Sequence, residues 1–194
     1  MPESKQTVRV MIKRPRLAGA LAIAAAAIVA APGPVLADSF LRLGDIKGES
    51  TDRLHQGEIN ILSFTQSFSN TASVVVGGGA GAGKASCGAI TVMKNIDKSS
   101  PRLLKAVFSG EHIKDGKLTF RAEDRTRAEY YTITLTEVIV SELTQTDNPD
   151  PSRIVEKLVL NAAKFLFQYT PQDARGTPGA PVKFEVNCAE NTTN

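Results

Sequence analysis

A glycine-rich segment is the part of this sequence whose residue types come nearest to a chemical motif. The stretch VVVGGGAGAGKAS, residues 74–86, contains Gly78, four further residues, and then Gly83 and Lys84. This spacing is close to that of a phosphate-binding loop, in which backbone N–H groups and a lysine hold the phosphates of a nucleotide. Such a loop also needs Ser or Thr after the lysine, at the start of a helix. Here Ala85 follows Lys84, and after Ser86 come Cys87, Gly88 and then a strand pattern, not a helix. The sequence therefore predicts a loop between two antiparallel strands and no nucleotide cofactor.

No other group of residues has the spacing of a catalytic or metal site. His55 and His112 are the only histidines, and each lies in a polar, turn-like stretch typical of a surface position. Asp45, Glu49 and Asp52 form an acidic loop without the spacing of a calcium loop. We therefore predict no catalytic residues, no metal ligands, no cofactor and no enzyme activity.

The first 37 residues have the three parts of a secretory signal peptide. A basic segment, KRPR, precedes an apolar run of 15 residues from Leu17 to Ala31, and a helix-breaking APGP follows. Small residues then end at Ala37, so we predict cleavage between Ala37 and Asp38. The alternative is an uncleaved anchor, for which the run is short compared with the roughly 20 residues of a membrane span.

Cleavage divides the chain into a signal peptide, residues 1–37, and one domain, residues 38–194, with no stable membrane insertion afterwards. Met11 is an alternative start to Met1. The segment before the cleavage site holds five of the 23 basic residues and one of the 20 acidic residues. The domain therefore carries 18 basic and 19 acidic residues, and this balance argues against nucleic acid as a partner.

The two cysteines of the chain are Cys87 and Cys188. An even count in an exported protein favours a disulfide, and two buried thiols are the alternative. Cys87 precedes a middle strand and Cys188 follows the last one, which allows a contact without requiring it.

Alternating apolar and polar residues recur along the domain and predict seven or eight β-strands. One short helix is predicted in SSPRLLKAVFSG, residues 99–110, with Ser99 or Ser100 as its cap, Pro101 in its first turn and Gly110 after its last. Strands this regular in a helix-poor chain predict a mainly β fold, a barrel or a sandwich. The apolar stripe of the helix is expected to be Leu104, Val107 and Phe108.

Residues 58–70, EINILSFTQSFSN, predict one long strand with two different faces. One face carries small hydroxyls from residue 63 onward, and the other is mostly apolar. The hydroxyl face consists of Ser63, Thr65 and Ser67, and the apolar face of Leu62, Phe64 and Phe68.

Six segments in order give the domain a resemblance to a known family. They are DSFLRLGDIKGES, the glycine-rich loop ending in GAGK, IDKSSPRLLKAVFSGEHI, YYTITLTEVIVSEL, FQYTPQ and GAPVKFEVN. Together, from about Asp38 to Asn187, they resemble the haemolysin-coregulated protein family, Hcp, the tube subunits of type VI secretion systems. None of the segments is unique to the family, but the ordered set is specific.

The resemblance implies a small β-barrel of two packed antiparallel sheets with one short α-helix at its side. It also implies a homo-hexameric ring with a wide channel, and rings that stack into a tube. A contractile sheath, a spike protein and effector proteins are the other partners implied, and the subunit itself has no catalytic residues.

The resemblance also assigns roles to two parts of the sequence. The glycine-rich loop matches a long family loop that reaches from one ring to the next. The hydroxyl face of residues 63–67 suits a wet channel wall, with Leu62, Phe64 and Phe68 filling the barrel, although a plain solvent-facing strand explains that face equally well. The residues of the stacking loop are Asn70, Val74, Val75, Val76, Gly77, Gly78, Gly79, Gly81, Gly83 and Lys84.

The predicted signal peptide departs from the family, whose subunits assemble in the cytoplasm and leave through the apparatus. The chain is therefore expected to be a tube subunit, or alternatively a Sec-exported periplasmic or secreted Hcp-like ring or binding protein that acts outside the tube. The expected location is exported, periplasmic or extracellular, with cytoplasmic tube assembly if the signal is not used.

Overall fold

A computed structural model describes residues 38–70, 85–122, 127–147, 154–173 and 175–193. Asp38 and Asn70 lie within these ranges. Ala37 and the rest of the predicted signal peptide lie outside them, as do the stacking-loop residues from Val74 to Lys84.

Most of the described residues lie in strands. As predicted, DSFLRLGDI forms a strand that ends before the turn at Gly44. The helix found among the described residues is α1, Ser100–Ser109. The strands are β1 Ser39–Leu43, β2 Ile59–Ile61, β3 Ser63–Thr65, β4 Phe68–Asn70, β5 Ala85–Cys87, β6 Ile90–Asn95, β7 His112–Arg121, β8 Glu129–Thr146, β9 Val155–Tyr169, β10 Val182–Asn187 and β11 Thr192–Thr193.

The predicted mainly β fold with one short helix is confirmed, but the strands are not divided into two separate sheets. Nine of them form one hydrogen-bonded network in the order β11-β10-β9-β8-β7-β1-β2, with β6 pairing both β9 and β3. All its pairings are antiparallel. The remaining two strands, β4 and β5, pair with each other as a separate two-stranded ribbon.

Residues 59–65 pair with two different strands of the network. Strand β2 pairs with β1, and β3 pairs with β6 on the other side. Between them, the backbone N–H of Leu62 donates to the Met93 carbonyl at 2.7 Å. Residues 59–65 therefore lie between β1 and β6 and are hydrogen-bonded to both.

The core of the described residues is mainly aliphatic, as a chain without tryptophan predicts. Phe165 is the one aromatic side chain among the large, fully buried residues of the described ranges. The buried aliphatic residues of the strands include Leu41, Leu43, Ile59, Ile61, Ile90, Val92, Leu118, Ile133, Leu135, Leu158 and Leu160.

The prediction of one continuous strand over residues 58–70 is wrong, because the chain changes partners at Leu62. Inward positions are odd-numbered up to Ile61, whereas Phe64 is the inward position of β3. Leu62 and Phe68 are 56% and 52% exposed and do not fill the barrel. Phe64 is half-buried and packs against the core, with its ring centroid 5.1 Å from that of Phe120.

The helix ends as predicted, but it buries a different side. Gly110 has the left-handed φ of 61° and donates its N–H to the Ala106 carbonyl, which closes the last turn. Ser99 occupies the cap position, yet its hydroxyl donates to Asp97 and makes no capping bond.

The predicted stripe of the helix is wrong in two of its three positions. Leu103 and Ala106 are fully buried against the sheet, whereas Leu104 and Phe108 are exposed, Phe108 at 85%. Val107 is half-buried. The reason lies in the first turn, where the buried Ser100 hydroxyl is bonded inside the protein and turns its own side of the helix inward.

Candidate functional site

The β4–β5 ribbon lies at the two ends of the glycine-rich loop. Its three residue pairs run from Phe68 opposite Cys87 to Asn70 opposite Ala85, the last pair before residues 71–84. The strands that flank the loop are antiparallel, and the chain after Lys84 continues as a strand. The described residues on this side of the loop therefore lack the helix start that a phosphate-binding loop needs.

The ribbon continues the β3–β6 hairpin beyond a bend at Gly88. The Gly88 N–H donates to the Ser67 carbonyl at 2.8 Å. A Cβ atom at this position would collide with that carbonyl and with the Ser67 hydroxyl. Only glycine fits such a close approach of two backbones, so the bend depends on this residue.

One pair of opposite residues, Phe68 and Cys87, attaches the ribbon to the large sheet. The Phe68 ring meets those of Phe165 and Phe167 on β9 edge to face, at centroid distances of 6.5 and 5.5 Å. Cys87 forms a disulfide with Cys188, whose Cα atom lies 6.0 Å away. Of the two alternatives left open by the sequence, the structure thus contains the disulfide.

The hydroxyl residues 63, 65 and 67 are all exposed. Phe64 and Gln66, which alternate with them, are half-buried. The structure therefore leaves Ser63, Thr65 and Ser67 on an open face of the β3 segment, as either a channel wall or a solvent-facing strand would require.

A buried ion pair beneath the first turn of α1 was missed by sequence reasoning. Lys94 on β6 and Glu156 on β9 stand opposite each other, and neither side chain is exposed. The Lys94 Nζ lies 2.5 Å from the Glu156 Oε2. The Ser100 hydroxyl donates to the same oxygen at 2.6 Å, and Gln145 Nε2 donates to Oε1 at 2.8 Å.

These partners decide the charge state of Glu156. Burial alone would raise the pKa of Glu156, but hydrogen bonds from Lys94, Ser100 and Gln145 outweigh it and hold this pKa below its usual range. Both charges are paired, so the cluster fixes the helix on the sheet and offers no free nucleophile. The signal for Lys94 was present in the sequence: it follows Ile90 and Val92 on the inward side of ITVMKN.

His55 is buried, which contradicts the prediction of a surface histidine. Only 5% of it is exposed, and its ring stacks on Phe40 at 4.2 Å between centroids. Its Nδ1 lies 3.0 Å from Glu58, and its Nε2 lies 3.4 Å from Glu129. The polar loop that carries His55 folds back on the sheet, so the polar residues that surround His55 in the sequence did not indicate that its side chain is buried. His112 is exposed, as predicted.

Arg121 fixes the same loop through Asp52. Its Nη1 donates to the Asp52 carboxylate at 2.6 Å, and its Nε donates to the Arg127 carbonyl at 2.9 Å. The guanidinium also lies 5.6 Å from the centroid of the Phe40 ring. The hydrogen bond from Arg121 lowers the pKa of Asp52 against the opposing effect of burial. This arrangement orders the loop.

Neither a metal-binding cluster nor a membrane-spanning helix is present among the described residues. No group of three or more His, Cys, Asp or Glu residues there could hold a metal ion. None of the helical structure in this part of the chain is long and apolar enough to cross a membrane.

Comparison with known proteins decides the family. The profile of the family described as "Type VI secretion system effector, Hcp" matches residues 40–169. This chain belongs to the Hcp family. "Protein hcp1" of Pseudomonas aeruginosa is 40% identical to it over 156 residues, which cover 79% of this chain and 96% of that relative.

Solved structures of other Hcp proteins have the same fold. The crystal structure of Hcp1 from Salmonella typhimurium is 26% identical and has a TM-score of 0.67, over 81% of this chain and 99% of the other. A second solved structure, of a type six secretion system protein, has a TM-score of 0.77 and is 24% identical, over 81% of this chain and 99% of the other. The resemblance drawn from the six ordered segments is confirmed as far as the family and the fold.

Proposed function

We propose that this chain is a structural tube subunit of a type VI secretion system, which forms hexameric rings that stack into a tube and carry effectors. The observation that carries the proposal is the Hcp profile match over residues 40–169, together with a relative spanned over 96% of its length. The described residues add a mainly β fold with one short helix, which solved Hcp structures share. Its partners are further copies of the chain, a sheath, a spike protein and effectors, and the chain acts without catalysis or cofactor.

The ribbon supports the role of the glycine-rich loop in stacking. Strands β4 and β5 directly precede and follow residues 71–84 in the chain. Phe68 and the disulfide attach these two strands to the large sheet. In this proposal Val74, Val75 and Val76 make apolar contacts with the next ring, and the glycines let the backbone adapt to it. The exposed Ser63, Thr65 and Ser67 line the channel.

Export is the part of the proposal that concerns the first 37 residues. A signal peptide cut between Ala37 and Asp38 would deliver the domain to an oxidising compartment, where a disulfide such as Cys87–Cys188 persists. The family match favours a tube subunit over a ring or binding protein that acts outside the tube.

Deleting Val74–Val76 will leave rings intact and abolish their stacking, because the deletion removes no residue of the ribbon or of the core. Electron microscopy of the purified protein at matched concentrations measures both rings and tubes. The control is Phe108→Ser, which removes an exposed apolar side chain from the helix and leaves stacking unchanged. Tubes of normal length from the deletion variant would refute the stacking role of the loop.

A further inference from the structure

We propose that the Cys87–Cys188 disulfide is a redox latch that holds the β4–β5 ribbon on the C-terminal end of the sheet. When it is closed, the ribbon has two attachments to the sheet at one position along its length. When it is open, the covalent attachment is lost and the contacts of the Phe68 ring remain.

The first support is the pairing of the ribbon. Over the described ranges, no hydrogen-bonded ladder joins β4 or β5 to the nine-stranded network. An isolated two-stranded hairpin is at best marginally stable in water, so its position depends on side-chain attachments. The bend at Gly88, where Ser67 accepts the glycine N–H, connects the ribbon to the β3–β6 hairpin through a short hinge.

The second support is where the attachments lie. Phe68 and Cys87 are directly opposite each other in the ribbon register, so their side chains leave the same face. Phe68 contacts β9, whereas Cys87 is bonded to the residue that follows β10. That residue is itself fixed, since the Cys188 N–H donates to the Ala163 carbonyl of β9 at 2.8 Å. The covalent attachment thus joins the ribbon to an ordered part of the sheet.

The third support is access. Cys87 and Cys188 are both partly exposed, unlike the core residues around them. A dithiol reductant can therefore open the bond by thiol–disulfide exchange. Its two thiols give up two electrons and two protons, Cys87 and Cys188 become thiols, and the reductant becomes a disulfide.

Hydrogen–deuterium exchange of the full chain tests the latch, with dithiothreitol as the reductant and labelling times of seconds. We expect peptides that cover β4 and β5 to exchange about tenfold faster after reduction, through local opening. Peptides from the centre of β8, around Ile133 and Leu135, will stay protected at these times. Unchanged exchange in the ribbon, or equal loosening of ribbon and β8, would overturn the proposal.

Two variants sharpen this test. Cys87→Ser combined with Cys188→Ser will exchange like the reduced protein and will not respond to dithiothreitol. Phe68→Ala will keep a protected ribbon while oxidised and lose that protection on reduction. A dithiothreitol response in the double serine variant, or a ribbon already unprotected in oxidised Phe68→Ala, would contradict the latch.

The consequence for assembly rests on the proposed tube function: oxidised rings will form longer tubes than reduced rings, because the latch fixes the base of the stacking loop. Electron microscopy of the same two samples measures this. Absence of tubes in both redox states would count against the tube function, while the exchange data would still decide the latch. Tubes of equal length in both states would show that the latch does not act on stacking.

Discussion

Replacing Glu156 with leucine will lower the free energy of unfolding by about 3–5 kcal/mol. The substitution leaves the Lys94 ammonium fully buried without the carboxylate that lies 2.5 Å away. Asp97, with Oδ1 at 3.0 Å, remains as a partial partner of Lys94. The Ser100 hydroxyl and the Gln145 amide also lose their acceptor, so the first turn of α1 loosens from the sheet. Chemical denaturation of the oxidised protein, followed by circular dichroism, measures the loss.

Two further variants show that the effect comes from the unpaired charge. Lys94→Met combined with Glu156→Leu will recover at least about half of the loss, because a buried pair replaced by apolar side chains is often tolerated. Glu142→Gln breaks an exposed ion pair of the same length, with Lys157, and will not shift the denaturation midpoint measurably. A double variant as unstable as Glu156→Leu alone would show that lost packing, and not the stranded lysine, is the cause.

Replacing Arg121 with methionine will cost about 2–3 kcal/mol of stability and will loosen the loop over residues 47–58. The substitution keeps most of the apolar stem but removes the charged hydrogen bond to Asp52 and the bond to the Arg127 carbonyl. Denaturation gives the global loss. Hydrogen exchange at Leu54, whose N–H is bonded to Asp52 at 2.9 Å, reports the loop.

The same contact predicts a pH dependence. The pKa of Asp52 is lower in the folded protein than in the unfolded chain, so its contribution is complete above the unfolded pKa of about 4 and is lost as pH falls through the folded pKa. In Arg121→Met, the free energy of unfolding will therefore fall less steeply as the pH is lowered; this acid limb of the pH profile becomes flatter. The control is Arg42→Met, which breaks an exposed pair with Asp115 and will leave that limb unchanged. An acid limb of wild-type slope in Arg121→Met would contradict the role of this contact.

Strand patterns predicted the fold well because most strands bury one face and expose the other. That relation between period and burial is strict in β6, where buried and half-buried residues alternate, and it fails in residues 58–70, where the chain changes partners at Leu62. No local pattern encodes such a change, because the pairing of β2 with β1 and of β3 with β6 depends on residues far along the chain. The helix shows the same limit: Leu104 and Phe108 have the right spacing for a core stripe, but the tertiary bond of Ser100 to Glu156 decides which side is buried.

The candidate site was likewise predicted only in part from the sequence. The ordered segments identified the family, whereas β4 was predicted as part of one longer strand and β5 begins within the segment predicted as a loop. The ion pair of Lys94 and Glu156 joins residues 62 positions apart, and His55 is buried by contacts with β1 and β8. Contacts at such separations cannot be derived from composition or spacing alone, although the inward position of Lys94 on its strand was visible.

Native mass spectrometry of the protein recovered from expressing cells tests the central claim, assembly of this chain into rings, most directly. A hexamer is the predicted result, and the mass of its subunits will also show whether the chain begins at Asp38. A processed or full-length protein that remains monomeric across the concentration range of tube formation would contradict assembly into rings. In that case the Hcp fold would be present without the tube function.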